Sequence, residues 1–170
     1  MINTDLPEGY QADAALEALL YVAEQSPETD YLDLFRIVFL ADVTHLRQFG
    51  TQMHREQYIA FQGDPVASGL LSLVTEAGLG SGETDAFRVT ARNIIEPRRR
   101  FDPRKLDEAA RECLDFALQA EIEDRVNEVL EANPATGIAE CDLVSMEAIL
   151  ESVSNRDQIE QFMEDSLAVV

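Results

Sequence analysis

Between Tyr31 and Gly50 the chain carries a helical pattern with almost no polar face: Leu34, Phe35, Ile37, Val38, Phe39, Leu40 and Ala41 would project from nearly every side of it. A helix that is apolar all round is stable only where other elements enclose it. The expected fold is therefore mainly α, a single-domain helical bundle over residues 1–170 around a buried central helix at about 31–49. Asp30 can cap the start of this helix, and Gly50 suits the left-handed conformation that closes one. Inside the apolar run sit Asp42 and His45, one turn apart on the same face, where a carboxylate can hold an imidazole by a hydrogen bond. That pair is expected to pin the central helix to the segment around Tyr58.

Helical periodicity recurs on both sides. Ala15, Leu16, Leu19, Leu20, Val22 and Ala23 predict a helix over Asp13–Gln25 that Ser26 and Pro27 end, because proline cannot continue a helix. Pro65 can open a third helix through Leu70, Leu71, Leu73 and Val74, and the stretch GLGSGETD after it reads as a flexible loop. Its glycines do not read as a phosphate cradle, since Glu83 and Asp85 follow and no apolar strand precedes. Beyond Pro103, with Asp102 as cap, helices are expected over Leu106–Ala120, along the stripe Ile122, Val126, Val129 and Leu130, along Leu143, Met146, Ile149, Leu150 and Val153, and along Ile159, Phe162, Met163 and Leu167. Pro134 and Gly137 break the run. The terminal SLAVV either docks with the last helix or serves as a tag for an unfoldase-protease.

One segment alternates instead. Phe87, Val89 and Ala91 interleave with Arg88, Thr90 and Arg92; Asn93 then offers a turn residue tolerant of positive φ, and Ile94 and Ile95 resume a strand. This predicts a small β-hairpin near 87–97, which gathers Arg88, Arg92, Arg98, Arg99, Arg100, Arg104 and Lys105. Charge is placed unevenly around it: 3 basic against 14 acidic residues up to Phe87, 8 against 4 from Arg88 to Arg111, and 2 against 15 beyond, for a net charge of −20. Such a field repels phosphate backbones, which disfavours direct nucleic-acid binding, and draws in basic partners. The basic island is either a contact surface or a means of neutralising acidic neighbours in the same chain.

The residues offer little to catalysis. His45 and His54 are the two histidines, and no His-x-x-x-His or Cys-x-x-Cys spacing occurs, so neither a metal, a cofactor nor a catalytic site is expected. Cys113 lies among Leu106, Ala110, Leu114 and Ala117 at helical spacing, as a buried small hydrophobe. No apolar run reaches membrane-spanning length and MINTDLPEGY lacks the features of a signal peptide, so the expected location is the cytoplasm.

Phe39, Leu40, Ala41, Asp42, His45, Leu46 and Gly50, followed by Tyr58, Ile59 and Ala60 and then by Pro65, Val66 and Ser68, resemble the hallmark of the Panacea family, the SocA-like or phage-associated GepA-like antitoxin domain. Gly63 and Asp64 stand where that family has Tyr-Gly, and Ala67 replaces its second proline. The likeness is clear over about 10–130 and leaves residues 138–168 as an unassigned helical extension. It implies a prokaryotic or phage antitoxin, not an enzyme, that neutralises a cognate protein toxin by direct binding in a toxin-antitoxin system. The toxin is expected to be basic, and the assembly a homodimer or a toxin-antitoxin hetero-oligomer. In this reading Asp42, His45, Tyr58, Pro65, Val66 and Ser68 are structural, and Arg88, Arg92, Arg98, Arg99, Arg100 and Arg104 form the candidate partner-binding set. The alternatives are an acidic inhibitor that mimics nucleic acid and blocks a DNA- or RNA-binding enzyme, or a proteolytic adaptor.

Overall fold

The computed structural model describes residues 9–61, 64–132 and 143–149. Their architecture is mainly helical with two small antiparallel sheets. In chain order the elements are α1 (Ala12–Gln25), α2 (Tyr31–Phe49), β1 (Tyr58–Phe61), β2 (Asp64–Ala67), α3 (Ser68–Ala77), β3 (Gly82–Glu83), β4 (Phe87–Val89), β5 (Ile95–Pro97), α4 (Glu108–Gln119), α5 (Ile122–Ala132), β6 (Leu143–Val144) and α6 (Met146–Ile149). No helix among these residues is long and apolar enough to cross a membrane.

The apolar run 34–43 lies inside. Leu34, Phe35, Val38, Phe39, Ala41 and Val43 are fully buried in α2, which packs against α1, β2, α4 and α5. Burial of each of its large side chains is worth about 1.5–3 kcal/mol relative to exposure. Both ends of α2 are held by local chemistry. The Asp33 amide donates to Asp30 Oδ1 at 3.0 Å, which satisfies one of the free amides of the first turn. At the other end Gly50 sits at φ +75° and its amide closes on the Leu46 carbonyl. Edge-to-face contacts of Tyr31 with Phe35 and of Phe39 with Tyr58 tie the helix to itself and to β1.

The hairpin near 87–97 is present, with Phe87 opposite Pro97, Arg88 opposite Glu96 and Val89 opposite Ile95. Asn93 takes φ +61° in its turn, and its carbonyl accepts from the Tyr31 amide while Oδ1 accepts from the Gly80 amide. The turn therefore anchors the start of α2. The segment GLGSGETD differs from expectation: Gly82 and Glu83 form β3 and extend this sheet along β4. Gly78 at φ +107° caps α3, and a Cβ on Gly82 would lie 1.7 Å from the Ala77 carbonyl oxygen, so the turn closes too tightly for any side chain there.

Three further expectations are corrected. Pro65 does not open α3; it lies in β2, an edge strand of the β2-β1-β6 sheet, where proline's missing amide costs no ladder bond. Helix α3 starts at Ser68. The cap of α4 is Asp107, whose Oδ1 accepts from the Ala110 amide at 2.8 Å, while Asp102 closes the preceding turn and Leu106 is buried ahead of the helix. Leu143 begins no helix either: Leu143 and Val144 pair with Ile59 and Tyr58 as β6, and α6 follows. Leu150, Val153, the last expected helix, SLAVV, Pro134, Gly137 and Gly63 lie outside the described residues, as does most of the extension 138–168.

Candidate functional site

Two buried polar clusters join α2, the segment after it and α3. In the first, Asp42 is fully buried and accepts three hydrogen bonds: from the Met53 amide at 2.8 Å, the Gln52 side-chain amide at 2.8 Å and the Tyr58 hydroxyl at 3.0 Å. Burial, and then the charge of Asp42, push the Tyr58 phenol far above its ordinary range, so it remains a donor. The expected pairing of Asp42 with His45 is not made. His45 turns its Nδ1 to the Thr51 carbonyl at 2.5 Å and tilts its ring on Phe49. Each residue ties α2 to the chain that follows it, through separate partners. A carboxylate in a low-dielectric interior is stabilised best by several donors at once, and the amide-rich turn supplies them where one imidazole would not.

The second cluster centres on Glu56, whose side chain has no exposure. Its Oε1 accepts from the Gly69 amide at 2.7 Å and the Gln57 amide at 3.1 Å, and its Oε2 meets His54 Nε2 at 3.1 Å. A carboxylate brought from outside thus caps the first turn of α3, a favourable place for negative charge. Ser68 adds a second link, its amide and its hydroxyl both donating to the Gln57 carbonyl. Pro65 and Val66 are buried in β2 beneath it. The ring of Tyr10 covers this cluster edge-on to His54, and burial, with the Glu56 charge behind it, pushes the Tyr10 phenol up. A Cβ at Gly69 would fall 2.3 Å from Tyr10 Oη and 2.4 Å from its Cζ. Gly69→Ala is therefore expected to lower stability by about 1–2 kcal/mol even though alanine favours a helix by ~1 kcal/mol over glycine. In a Tyr10→Ala background the same substitution should instead stabilise. Chemical denaturation of the three variants measures this reversal of sign, and additive effects would show that Tyr10 does not set the space at Gly69.

The basic island is largely spent within the chain. Arg99 grips Glu17 with both nitrogens, at 2.6 and 2.9 Å, and the Asp102 amide adds a third bond to the same carboxylate at 2.7 Å. Glu17 is 1% exposed, so this is a strut between α1 and the loop after β5. Burial pushes the Glu17 carboxyl up, but the Arg99 hydrogen bond, the Asp102 amide and the charges of Arg99 and Lys105 outweigh it and hold the group below its ordinary value. Arg88 pairs with Glu96 across the hairpin, Arg98 with Glu83 at 3.4 Å, Arg104 with Asp102 at 3.0 Å and Lys105 with Asp13 at 3.6 Å. Arg92 and Arg100 are exposed, with no ion pair among the described residues. Of the six arginines named, Arg88, Arg98, Arg99 and Arg104 are turned to their own chain's carboxylates, and the set is spread rather than gathered: Arg92 lies beside Pro27 and Glu28 after α1, while Arg99 meets Glu17 within α1.

No family model matches the chain, and no curated protein and no solved structure matches it either. The site has to be read from its own chemistry. Among the described residues no group of three or more His, Cys, Asp or Glu side chains is arranged to hold a metal. Cys113 is buried in α4, and burial, with the charges of Glu112, Asp42 and Asp107 behind it, pushes its thiol up to about 11. A thiol so shifted is a poor nucleophile at neutral pH. What lies open is the remainder of the acid excess, together with Leu32, Phe49, Phe61, Leu79 and Phe116, each at least 40% exposed. Sequence reasoning passed over Glu17 and Glu56, and weighed His54 only for metal binding or catalysis; their partners lie elsewhere in the chain or depend on the turn that brings them inside. It also passed over Phe116, which the period of α4 could have revealed, since it lies off the centre of the Ala110–Cys113–Leu114–Ala117 stripe.

Proposed function

We propose that the chain is an antitoxin of the Panacea type, a single helical bundle built on α2 that acts in the cytoplasm and neutralises a cognate protein toxin by covering its working surface. The observation that carries this reading is electrostatic. A net charge of −20 is combined with a basic island folded onto its own carboxylates, so the field presented outward is negative. Toxins that act on RNA or ribosomes need basic surfaces, and such a surface is steered toward this chain and occluded by it. The motif residues 39–68 supply the resemblance, and their side chains supply the frame that holds the outward face rigid. Expression of the neighbouring gene alone and together with this chain tests the reading: growth arrest by the neighbour, relieved on co-expression, is the expected result. Arrest that co-expression leaves untouched would overturn it.

A complex of this kind is expected to associate more slowly as salt rises, with the change mainly in the on-rate, because the Debye length shrinks from about 10 Å at 0.1 M toward about 3 Å at 1 M. Stopped-flow association between about 50 and 500 mM salt measures it, and a flat rate contradicts steering. The exposed carboxylates of α4, α5 and the link between them, Glu108, Glu112, Glu121, Glu123, Asp124 and Glu131 among them, also favour a second reading, an inhibitor that mimics nucleic acid. Rescue from a nuclease with no toxic neighbour would select it.

A further inference from the structure

Residues 9–11 cross over the second polar cluster on their way into α1. Gly9, at φ +86°, lies against the Arg55 side chain, and the half-buried Tyr10 ring stands edge-on to His54 and closes over Gly69. The Gln11 amide then donates to the His54 carbonyl at 3.0 Å. Beneath this strap the side chains of His54 and Glu56 have no exposure.

The strap is held less firmly than what it covers. Gln11 stands at the N-cap of α1 but makes no side-chain cap bond, so the free amides of the first turn receive no acceptor from it. Gln11, Ala12 and Asp13 are exposed, and the first side chain of α1 to be fully buried is Ala15. Further along, Arg99 grips Glu17 and fixes the body of the helix. The backbone between Gln11 and Ala15 is therefore where the strap can turn without disturbing the core. Segments with few buried contacts and solvent-exposed backbone open locally at a fraction of the free energy of global unfolding.

The closed state also carries a standing cost. His54 Nε2 meets Glu56 at 3.1 Å, but its Nδ1 is buried with no hydrogen-bond partner. A polar atom in that condition has given up its hydration without return, and water admitted under the strap restores it. The framework below survives such a movement. Glu56 keeps the Gly69 and Gln57 amides and Asp42 keeps its three donors, because none of those bonds involves residues 9–11.

We propose that residues 9–11 are a lid over the His54–Glu56 pair, hinged at the uncapped start of α1, that opens while the rest of the fold stays closed. Opening presents an imidazole and a carboxylate beside the first turn of α3, a polar recess that the closed structure hides.

Diethyl pyrocarbonate, which acylates neutral imidazole, reads the lid in the full chain at a fixed neutral pH, and mass spectrometry of the digested product separates His54 from His45. In the parent, His54 is expected to react at a rate that low denaturant barely changes, whereas hydrogen exchange of the α2 amides rises steeply with denaturant, as global unfolding does. Tyr10→Ala is expected to speed the acylation of His54 by about tenfold or more beyond any change in α2 exchange. Acylation of the parent that follows the denaturant dependence of the α2 amides, or that needs global unfolding to occur at all, would place residues 9–11 in the core and overturn the lid. A His54 rate that Tyr10→Ala moves no further than it moves α2 exchange would overturn it too, because another element would then be covering the pair. Should Tyr10→Ala fail to fold, the denaturant profile of the parent decides by itself.

Discussion

Asp42→Ala is expected to cost about 3–5 kcal/mol, enough to bring a domain of ordinary stability close to unfolding. Three donors converge on this carboxylate, and the substitution strands all of them: the Met53 amide, the Gln52 side chain and the Tyr58 hydroxyl, the last on a ring with no exposure at all. A buried donor left without an acceptor forfeits its hydration and recovers nothing, about 1–3 kcal/mol each, and water reaching the vacated space offsets part of the total. In a chain of 170 residues this corresponds to a fall in melting temperature of about 10 °C. His45→Ala should cost less, about 1–2 kcal/mol, since it removes one hydrogen bond to the Thr51 carbonyl beside solvent. Differential scanning calorimetry of both variants ranks them. If the His45 variant proves the less stable, or the Asp42 variant melts within about 2 °C of the parent, Asp42 does not hold the turn onto α2.

Arg99→Glu is expected to cost about 2–4 kcal/mol, whereas Arg100→Glu should fall within about 0.5 kcal/mol of the parent. Arginines 98, 99 and 100 are consecutive in sequence and unlike in structure. Reversal at Arg99 sets a second carboxylate against Glu17, which is 1% exposed and keeps only the Asp102 amide. Breaking a fully buried pair costs about 3–5 kcal/mol; Arg99 is 40% exposed, and solvent screening lowers the figure. Arg98, paired with Glu83 at the surface, belongs with Arg100, because exposed pairs contribute about 0–1 kcal/mol. Acid supplies an independent readout. The folded-state pKa of Glu17 is depressed, so its contribution is complete above the ordinary value of 4.5 and is lost as pH falls through the lower folded value. The parent should therefore lose stability below about pH 4.5 more steeply than Arg99→Ala does. Parallel acid profiles for the two would contradict the strut.

The helices α1 and α2 were legible in the chain because periodicity, cap and stop signal agree there: Ser26-Pro27 after α1, Asp30 before α2 and Gly50 behind it. The hairpin at Asn93 was legible for the same reason. The strands β1 and β2 were not. Tyr58–Phe61 is a run of four apolar residues too short to show a period, and Pro65 suits a first helical turn as well as an edge strand. Whether it is one or the other depends on a neighbour, and β1 and β6 are set by tertiary pairing. The polar framework was half legible. Two residues three apart on a helix share a face, which is what made Asp42 and His45 look like partners, but sharing a face says nothing about which of them finds a better acceptor or donor across the fold. Glu17 and Arg99 lie 82 positions apart. No local pattern links them, so the island could be seen as basic while its commitment to α1 could not.

The pairing of β6 with β1 has a consequence for how the chain is made. Tyr58 meets Val144 and Ile59 meets Leu143, so a strand finished at Phe61 waits for a partner more than 80 residues further on. At a synthesis rate of about 5–20 residues per second, that wait lasts roughly 4–16 s. Throughout it one edge of β1 carries open amides and carbonyls beside an apolar Tyr-Ile-Ala sequence, the kind of edge onto which foreign strands add. The nascent chain is thus most vulnerable to mispairing after α2 has formed and before residue 144 emerges, and a stop codon placed between the two would leave that edge permanently open.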